Sequence, residues 1–392
     1  MLSITPRFDN KKYAYNQRMS PKSSTQNYAA AINFKKYVPD DANKVVIDQI
    51  QSLVASPKVE RILIGMHDNV DGDCTGSAIA LSKFIKNVTG KFVDIFTTSP
   101  LPKKFEFLNK DKDITVLNSN DYSNMTGEHL QKILRNKFGQ HDLAILLDTP
   151  HESYMNPFIL ENFYMPSEYK VFIDHHPEVK RDLPTDITFI DDKKESNAQL
   201  IMQFADGYGY SEENIPKNIT DALLTGIITD SQKLTLARNH KIFNDVKSLA
   251  KTSNYKEIAD KATQISPQDV VLASKILGDN IQFTDNKIAY LLYDHAKYPG
   301  ANTDTARIIL ELFQKMSDID YYFGIHTNSL NPNWANIITV RSKKNPVNVL
   351  SEFEARGHKH SKTIRTNQLP PEQLRDRIIN DLSKSQTNRR DM

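Results

Sequence analysis

The stretch His67-Asp68-Asn69-Val70-Asp71-Gly72-Asp73-Cys74-Thr75-Gly76-Ser77 sets the imidazole of His67 and the carboxylates of Asp71 and Asp73 on one loop behind a short apolar run. Carboxylates and imidazoles are the ligands that hard and borderline divalent cations prefer. Asp71 and Asp73 stand two residues apart, so in an extended loop they need not share one ion. Gly72 and Gly76 allow tight turns and close approach of other backbone. Ser77 is read as opening a helix whose amide end favours a nearby anion. Three further features follow in order. Asp148 closes the apolar run 143–147, and Asp174 closes the run 169–173 and is followed by His175, His176 and Pro177. Asp230 ends the apolar helical segment that contains Thr225, Gly226 and Thr229. Adjacent histidines in a turn diverge, so one can reach a metal while the other faces substrate, and Asp174 can orient an imidazole from behind. Asp148 alone reads as readily as a cap of the next turn and Asp230 alone as a solvated helix end, whereas two histidines directly after Asp174 are harder to explain structurally. All four features in this order, at the ends of apolar segments, read as a divalent-metal site.

The elements that must position them follow from patterning. Residues 61–66 form a short apolar run that ends in a polar loop, which reads as a buried parallel strand. Residues 77–88 have helical spacing, 92–97 reads as a second strand, and 142–147 and 169–173 as two more. Helices are expected around 197–204 and 220–228. Strands alternating with helices predict a parallel α/β sheet, and ligands of such sheets bind outside the carboxyl ends of the strands. Residues 239–278 read as a polar helical connector. A second α/β pattern follows, with strands at 288–293, 321–326 and 335–341, a helix at 305–313 and a closing helix at 373–384. The expected division is a flexible basic extension over 1–43, a catalytic domain over 44–238, the connector over 239–283, a smaller α/β substrate-binding domain over 284–366, and a helical tail over 367–392.

Composition narrows the class. The 392 residues are 39% hydrophobic and 25% charged, as in ordinary globular chains, and the formal net charge is +2. That balance gives no global case for a long nucleic-acid track. Cys74 is the single cysteine, which excludes intrachain disulfides and multi-thiolate zinc sites and points to a reducing, cytoplasmic setting. Cys74 reads as a small packing residue; the neighbouring Asp71 and Asp73 disfavour a nucleophilic thiolate. No run of about 18 apolar residues is present. The basic, acid-poor start resembles a transit peptide in composition, but it lacks a sustained apolar helical face.

The order H-x-x-x-D-x-D-x-x-G-S, a strand-end D, D-H-H and T-G-I-x-T-D resembles the DHH phosphoesterase family. The nearest branch is the nanoRNase/pAp-phosphatase type, with RecJ-like exonucleases and cyclic-dinucleotide phosphodiesterases as relatives. The resemblance covers roughly residues 60–365. Its second half resembles the DHH-associated C-terminal domain through Val340-Arg341-Ser342, Asn348-Val349 and Gly357-His358. The resemblance implies two Mn²⁺-like ions, with Mg²⁺ or Co²⁺ as substitutes. His67 and Asp71 would bind one, Asp148 would bridge, and Asp73, His175 and Asp230 would complete the other. It further implies that His176, oriented by Asp174, contacts the scissile phosphate, and that Arg341, Ser342, Gly357 and His358 hold the rest of the substrate. Short oligoribonucleotides and 3′-phosphoadenosine 5′-phosphate are the implied substrates, and a homodimer the implied assembly. Two departures bear on the substrate. The loop before His358 reads Phe353-Glu354-Ala355-Arg356-Gly357, not Gly-rich, and Asp230 is followed by Ser231-Gln232-Lys233-Leu234. Alternatives are a cyclic or linear dinucleotide phosphodiesterase, pyrophosphate cleavage, and a non-catalytic nucleotide-binding relative.

Overall fold

A computed structural model of the protein describes residues 41–125, 127–149, 151–177, 182–211, 214–329, 336–343, 347–353, 355–356 and 361–387. The first sheet has six strands: β1 (Arg61–Gly65), β2 (Phe92–Thr97), β3 (Ile114–Val116), β4 (Leu143–Leu147), β5 (Tyr169–Asp174) and β6 (Ile187–Ile190). All pair in parallel, in the order β3-β2-β1-β4-β5-β6.

Continuous apolar runs form this sheet because both faces are covered. Alternation splits each run between two cores. Ile62, Ile64, Leu143, Ile145, Leu147, Val171 and Ile173 face one core with helices Asp41–Ala55, Gly72–Thr89 and Lys217–Asp230. Leu63, Ala144, Leu146 and Phe172 face another core with helix Gly127–Phe138, Phe158 and Phe163. The strand order reverses direction between β1 and β4. Crossovers from these two strands therefore leave in opposite directions and open a crevice at their carboxyl ends. His67 and Asp148 follow those two strands.

Helix Gly72–Thr89 starts five residues before the Ser77 start expected from the sequence. Asp71 is its N-cap and accepts a hydrogen bond from the Cys74 amide at 2.9 Å. The cap thus sits at an acid of the motif itself, and Ser77 lies in the second turn with its hydroxyl 3.4 Å from Asp73 Oδ1.

Helices Lys241–Leu249, Tyr255–Ala262 and Pro267–Asn280 lead to the second sheet. Its strands are β7 (Ile281–Phe283), β8 (Ile288–Asp294), β9 (Tyr321–Thr327), β10 (Asn336–Ser342), β11 (Ala355–Arg356) and β12 (Ser361–Thr366), in the order β11-β12-β10-β9-β8-β7. Among the described residues only β8 and β9 of this sheet pair in parallel, joined through helix Thr303–Lys315. Helix Pro371–Thr387 covers one face through Leu374, Ile378 and Leu382, and Ile309 and Phe313 cover the other. The architecture is α/β: a parallel-sheet N-terminal half, a helical connector and a smaller α/β half. No helix of the described residues is long and apolar enough to cross a membrane.

Candidate metal centre

Four chain segments converge beyond the carboxyl edge of the first sheet. His67 follows β1, held by the Met66 amide bonding to Phe96 O and the Asp68 amide bonding to Tyr154 O, both at 3.0 Å. Asp68 itself is tied off by Thr98 Oγ1 and by Asn156 Nδ2. It anchors the loop and leaves His67 and Asp71 to face the crevice. Their side chains approach at 3.8 Å, from Nε2 to Oδ2, and His67 Nε2 lies 3.9 Å from Asp148 Oδ2.

Asp148 is 3% exposed and has φ 53°, the left-handed region that only short polar side chains and glycine enter with any ease. Its amide still bonds to Ile173 O at 3.0 Å, so the backbone turns sharply while the strand pairing persists. The turn presents both carboxylate oxygens to different neighbours. Oδ2 faces His67, and Oδ1 lies 3.4 Å from His175 Nε2. His175 Nε2 is also 3.3 Å from Asp230 Oδ2 and 3.7 Å from Asp73 Oδ2.

Asp174 is fully buried and serves His176: its Oδ1 lies 2.8 Å from His176 Nδ1 and accepts the His176 amide at 3.3 Å. The two histidine rings lie 4.4 Å apart at 52°, with His175 directed to the acids and His176 more open. Asp73 is fully buried and accepts the Asn197 amide on Oδ2 at 2.5 Å and the Ala198 amide on Oδ1 at 2.9 Å. The start of helix Asn197–Met202 therefore fixes the Asp73 carboxylate. Gly226 makes room for it, because a Cβ there would stand 2.5 Å from Asp73 Oδ1.

The ionisable groups perturb one another strongly. Burial raises the Asp73 carboxyl well above its usual range, and the charges of Asp148 and Asp230 push it the same way. Asp230 is pushed up to about 7 by burial, with Asp148 and Asp71 adding to it against His175. Burial alone would raise Asp148, but His175 and His67 outweigh it and hold that carboxyl well below its usual range. His175 is raised despite burial, through Asp148, Asp230 and Asp73.

Such a set fits bound cations on three counts. The buried atoms His67 Nδ1, Asp148 Oδ1 and His175 Nε2 have no hydrogen-bond partner among the described residues. The ligand atoms of Asp73, His175 and Asp230 lie within 4.8 Å of one another, as do those of His67, Cys74 and Asp148. The donors are oxygen and imidazole nitrogen in the main, the chemistry of divalent first-row metals.

Residues 61–227 match the family described as "DHH family, N-terminal domain". The chain carries a DHH-family domain. Residues 61–227 thus carry the domain of the DHH phosphoesterases, hydrolases that depend on divalent metal, and the buried acidic and histidine cluster lies in and just beyond it. A comparison with curated proteins returns no match. Among solved structures, an exopolyphosphatase-related protein from Bacteroides fragilis superposes with a TM-score of 0.70 at 19% identity, over 87% of this chain and 96% of that one. This likeness establishes the shared fold across both sheets. A Methanococcus jannaschii protein described as a candidate family II inorganic pyrophosphatase aligns more loosely, with a TM-score of 0.40 at 15% identity over 83% of this chain and 98% of that one.

The structure thus brings together His67, Asp71, Asp73, Asp148, Asp174, His175, His176 and Asp230 of the DHH half. Arg341 and Ser342 stand on β10 in the second sheet, with Arg341 paired to Tyr322 of β9 and its Nε buried without a hydrogen-bond partner among the described residues. Gly357 and His358 lie outside the described residues. Two contributors escaped the sequence reading. One is the amide pair of Asn197 and Ala198, whose only local signal is the cap Ser196. The other is Cys74, read as a packing residue. It does pack in the core, but its thiol also lies beside His67 and Asp148.

Proposed function

We propose that the chain hydrolyses short phosphate-bearing nucleotides, oligoribonucleotides of a few residues or 3′-phosphoadenosine 5′-phosphate, with two divalent ions and Mn²⁺ as the working metal. The observation that carries the reading is the splayed Asp148 carboxylate, one oxygen toward His67 and the other toward His175. His67, Asp71 and Asp148 would hold one ion, and Asp73, Asp148, His175 and Asp230 the other. A bound pair of this kind lowers the pKa of its water toward neutrality and stabilises charge on the phosphoryl oxygens.

The chain's own groups do the rest. The Asn197 and Ala198 amides fix Asp73, so that ligand does not swing away as charge moves. Asp174 holds His176 Nδ1, which leaves Nε2 to face the scissile phosphate and to give a proton to the leaving oxygen. Arg341, on the second sheet, offers guanidinium donors to the part of the substrate that does not react. The near-balanced charge supports small substrates over long polymers.

The test is hydrolysis by the purified full chain of a panel: di- to pentaribonucleotides, 3′-phosphoadenosine 5′-phosphate, linear and cyclic dinucleotides, and pyrophosphate. Chelator should abolish turnover, and Mn²⁺ should restore it best on the first two classes. Turnover confined to cyclic dinucleotides or pyrophosphate would overturn the substrate assignment.

A further inference from the structure

Cys74 is the single cysteine of the chain, and it sits where packing alone does not account for a thiol. Asp71 caps helix Gly72–Thr89 by accepting the Cys74 amide at 2.9 Å, which places Cys74 in the first turn. The Cα–Cβ bonds of a helix tilt toward its N-terminus, and here that end meets the crevice. The Cys74 side chain is fully buried. Its Sγ, a ring nitrogen of His67 and a carboxylate oxygen of Asp148 all lie within 4.8 Å of one another.

The two neighbours themselves point to a ligand. His67 is 6% exposed and Asp148 3%, and His67 Nδ1 and Asp148 Oδ1 have no hydrogen-bond partner among the described residues. Buried polar atoms left unpaired are costly, and a bound cation satisfies them. Asp71 completes the group, with Oδ2 at 3.8 Å from His67 Nε2. One nitrogen, two carboxylates and one sulfur thus surround this position. The other position differs: Asp73, His175 and Asp230 gather there and offer oxygen and nitrogen only.

We propose that Cys74 is a further ligand of the ion held by His67, Asp71 and Asp148, and that the two positions of the centre therefore prefer different metals. The proposal rests on the two-ion reading above and deepens it. Thiolate sulfur favours softer ions such as Zn²⁺, whereas carboxylate and imidazole suit Mn²⁺. On binding, the thiol proton leaves to solvent and the sulfur electron pair bonds the ion, whose charge offsets Asp71 and Asp73. Mn²⁺ supplied alone fills both positions, and a softer ion displaces it first beside Cys74.

The test uses the full-length chain loaded with Co²⁺ under reducing conditions and read by absorption. A cobalt–thiolate bond gives an intense near-ultraviolet charge-transfer band that oxygen and nitrogen ligands do not. The wild type should show the band. Cys74→Ser, which keeps the size and offers a hard oxygen, should lose it while still holding two ions. X-ray absorption at the zinc edge should find one sulfur neighbour at about 2.3 Å in the wild type and none in the variant. Zn²⁺ outcompetes Mn²⁺ at oxygen and nitrogen sites too, so the competition is judged by the change between the two proteins. Cys74→Ser should weaken Zn²⁺ at one position by at least about tenfold, since even groups behind the ligands typically change metal affinity by that much. Mn²⁺ should change far less. A thermal melt checks the fold, and Cys74→Ala serves if the serine hydroxyl disturbs packing. A two-ion cobalt form without the band, or a band that survives in Cys74→Ser, would overturn the proposal and leave the two-ion reading standing. A chain that binds no Co²⁺ would overturn both. A Cys74-dependent band in a chain that cleaves no phosphate ester would keep the ligand and overturn the hydrolytic reading alone.

Discussion

Asp148 and Asp174 close adjacent strands, yet their carboxylates turn to different partners. Asp148 adopts a left-handed backbone that gives its two oxygens different partners, while Asp174 turns back onto the following His176. The second contact has a pH consequence. Burial disfavours the His176 imidazolium, and the Asp174 bond more than offsets it, so His176 is raised from its ordinary value. Replacing Asp174 with Asn removes the negative partner and lets His176 lose its proton at lower pH. If His176 donates to the leaving oxygen, the alkaline limb of the kcat profile should move to lower pH in Asp174→Asn. Activity at the optimum should drop by about ten- to a hundredfold, the usual effect of removing such an orienting group. An unmoved alkaline limb would show that His176 is not the titrating acid. The acids at strand ends were legible in the sequence only as a set, because each alone reads as a cap and four such features in one order do not. The service of Asn197 and Ala198 to Asp73 was not legible, because it joins backbone amides to a side chain more than a hundred residues away.

At the scale of elements, the centre depends on two helices that cross almost in backbone contact. A Cβ on Gly76 would collide with the carbonyl oxygen of Ala222, and one on Gly226 would stand 2.5 Å from Asp73 Oδ1 and 2.6 Å from Ala198 Cβ. Gly226→Ala should therefore force helices Gly72–Thr89 and Lys217–Asp230 apart and displace Asp73. Overpacking of this kind typically destabilises by about 1–3 kcal/mol. The expected result is a lowered melting temperature together with weakened metal binding, read by thermal melts and metal titration. Normal metal affinity would mean that the crossing is looser than described. The sequence marked Gly72 and Gly76 as places of close approach, but their partner helix could come only from the packed structure. A second element-level device is Asp94 of β2, paired with Arg61 of β1 at 2.8 Å and with His141 at 2.9 Å. Burial would raise its carboxyl, but His141 and Arg61 outweigh that and hold it low. A depressed folded-state pKa gives stability that is full above the unfolded value, about 4, and is lost as pH falls through the folded value. The Tm difference between wild type and Asp94→Asn should be full at neutral pH and should close in acid. A difference that is constant with pH would assign the effect to shape instead of charge.

For the whole molecule, the arrangement is a parallel sheet whose switch point gathers the acidic and histidine cluster, and a second, mixed sheet that carries Arg341 on β10. The alternation of strands and helices made this architecture legible, and the start of helix Gly72–Thr89 was misplaced because its cap is an acid of the motif itself. The short strands β3, β7 and β11 have two or three residues each, too few for patterning to reveal. In the proposed function Asp148 joins two metal ions into one centre, and metal stoichiometry tests this most directly. Purified chain equilibrated with Mn²⁺ and freed of excess should hold two ions by elemental analysis. Asp148→Ala should hold one or none, with hydrolysis lost and the fold retained by circular dichroism. A single ion in the wild type, or two ions with near-normal turnover in Asp148→Ala, would contradict the account.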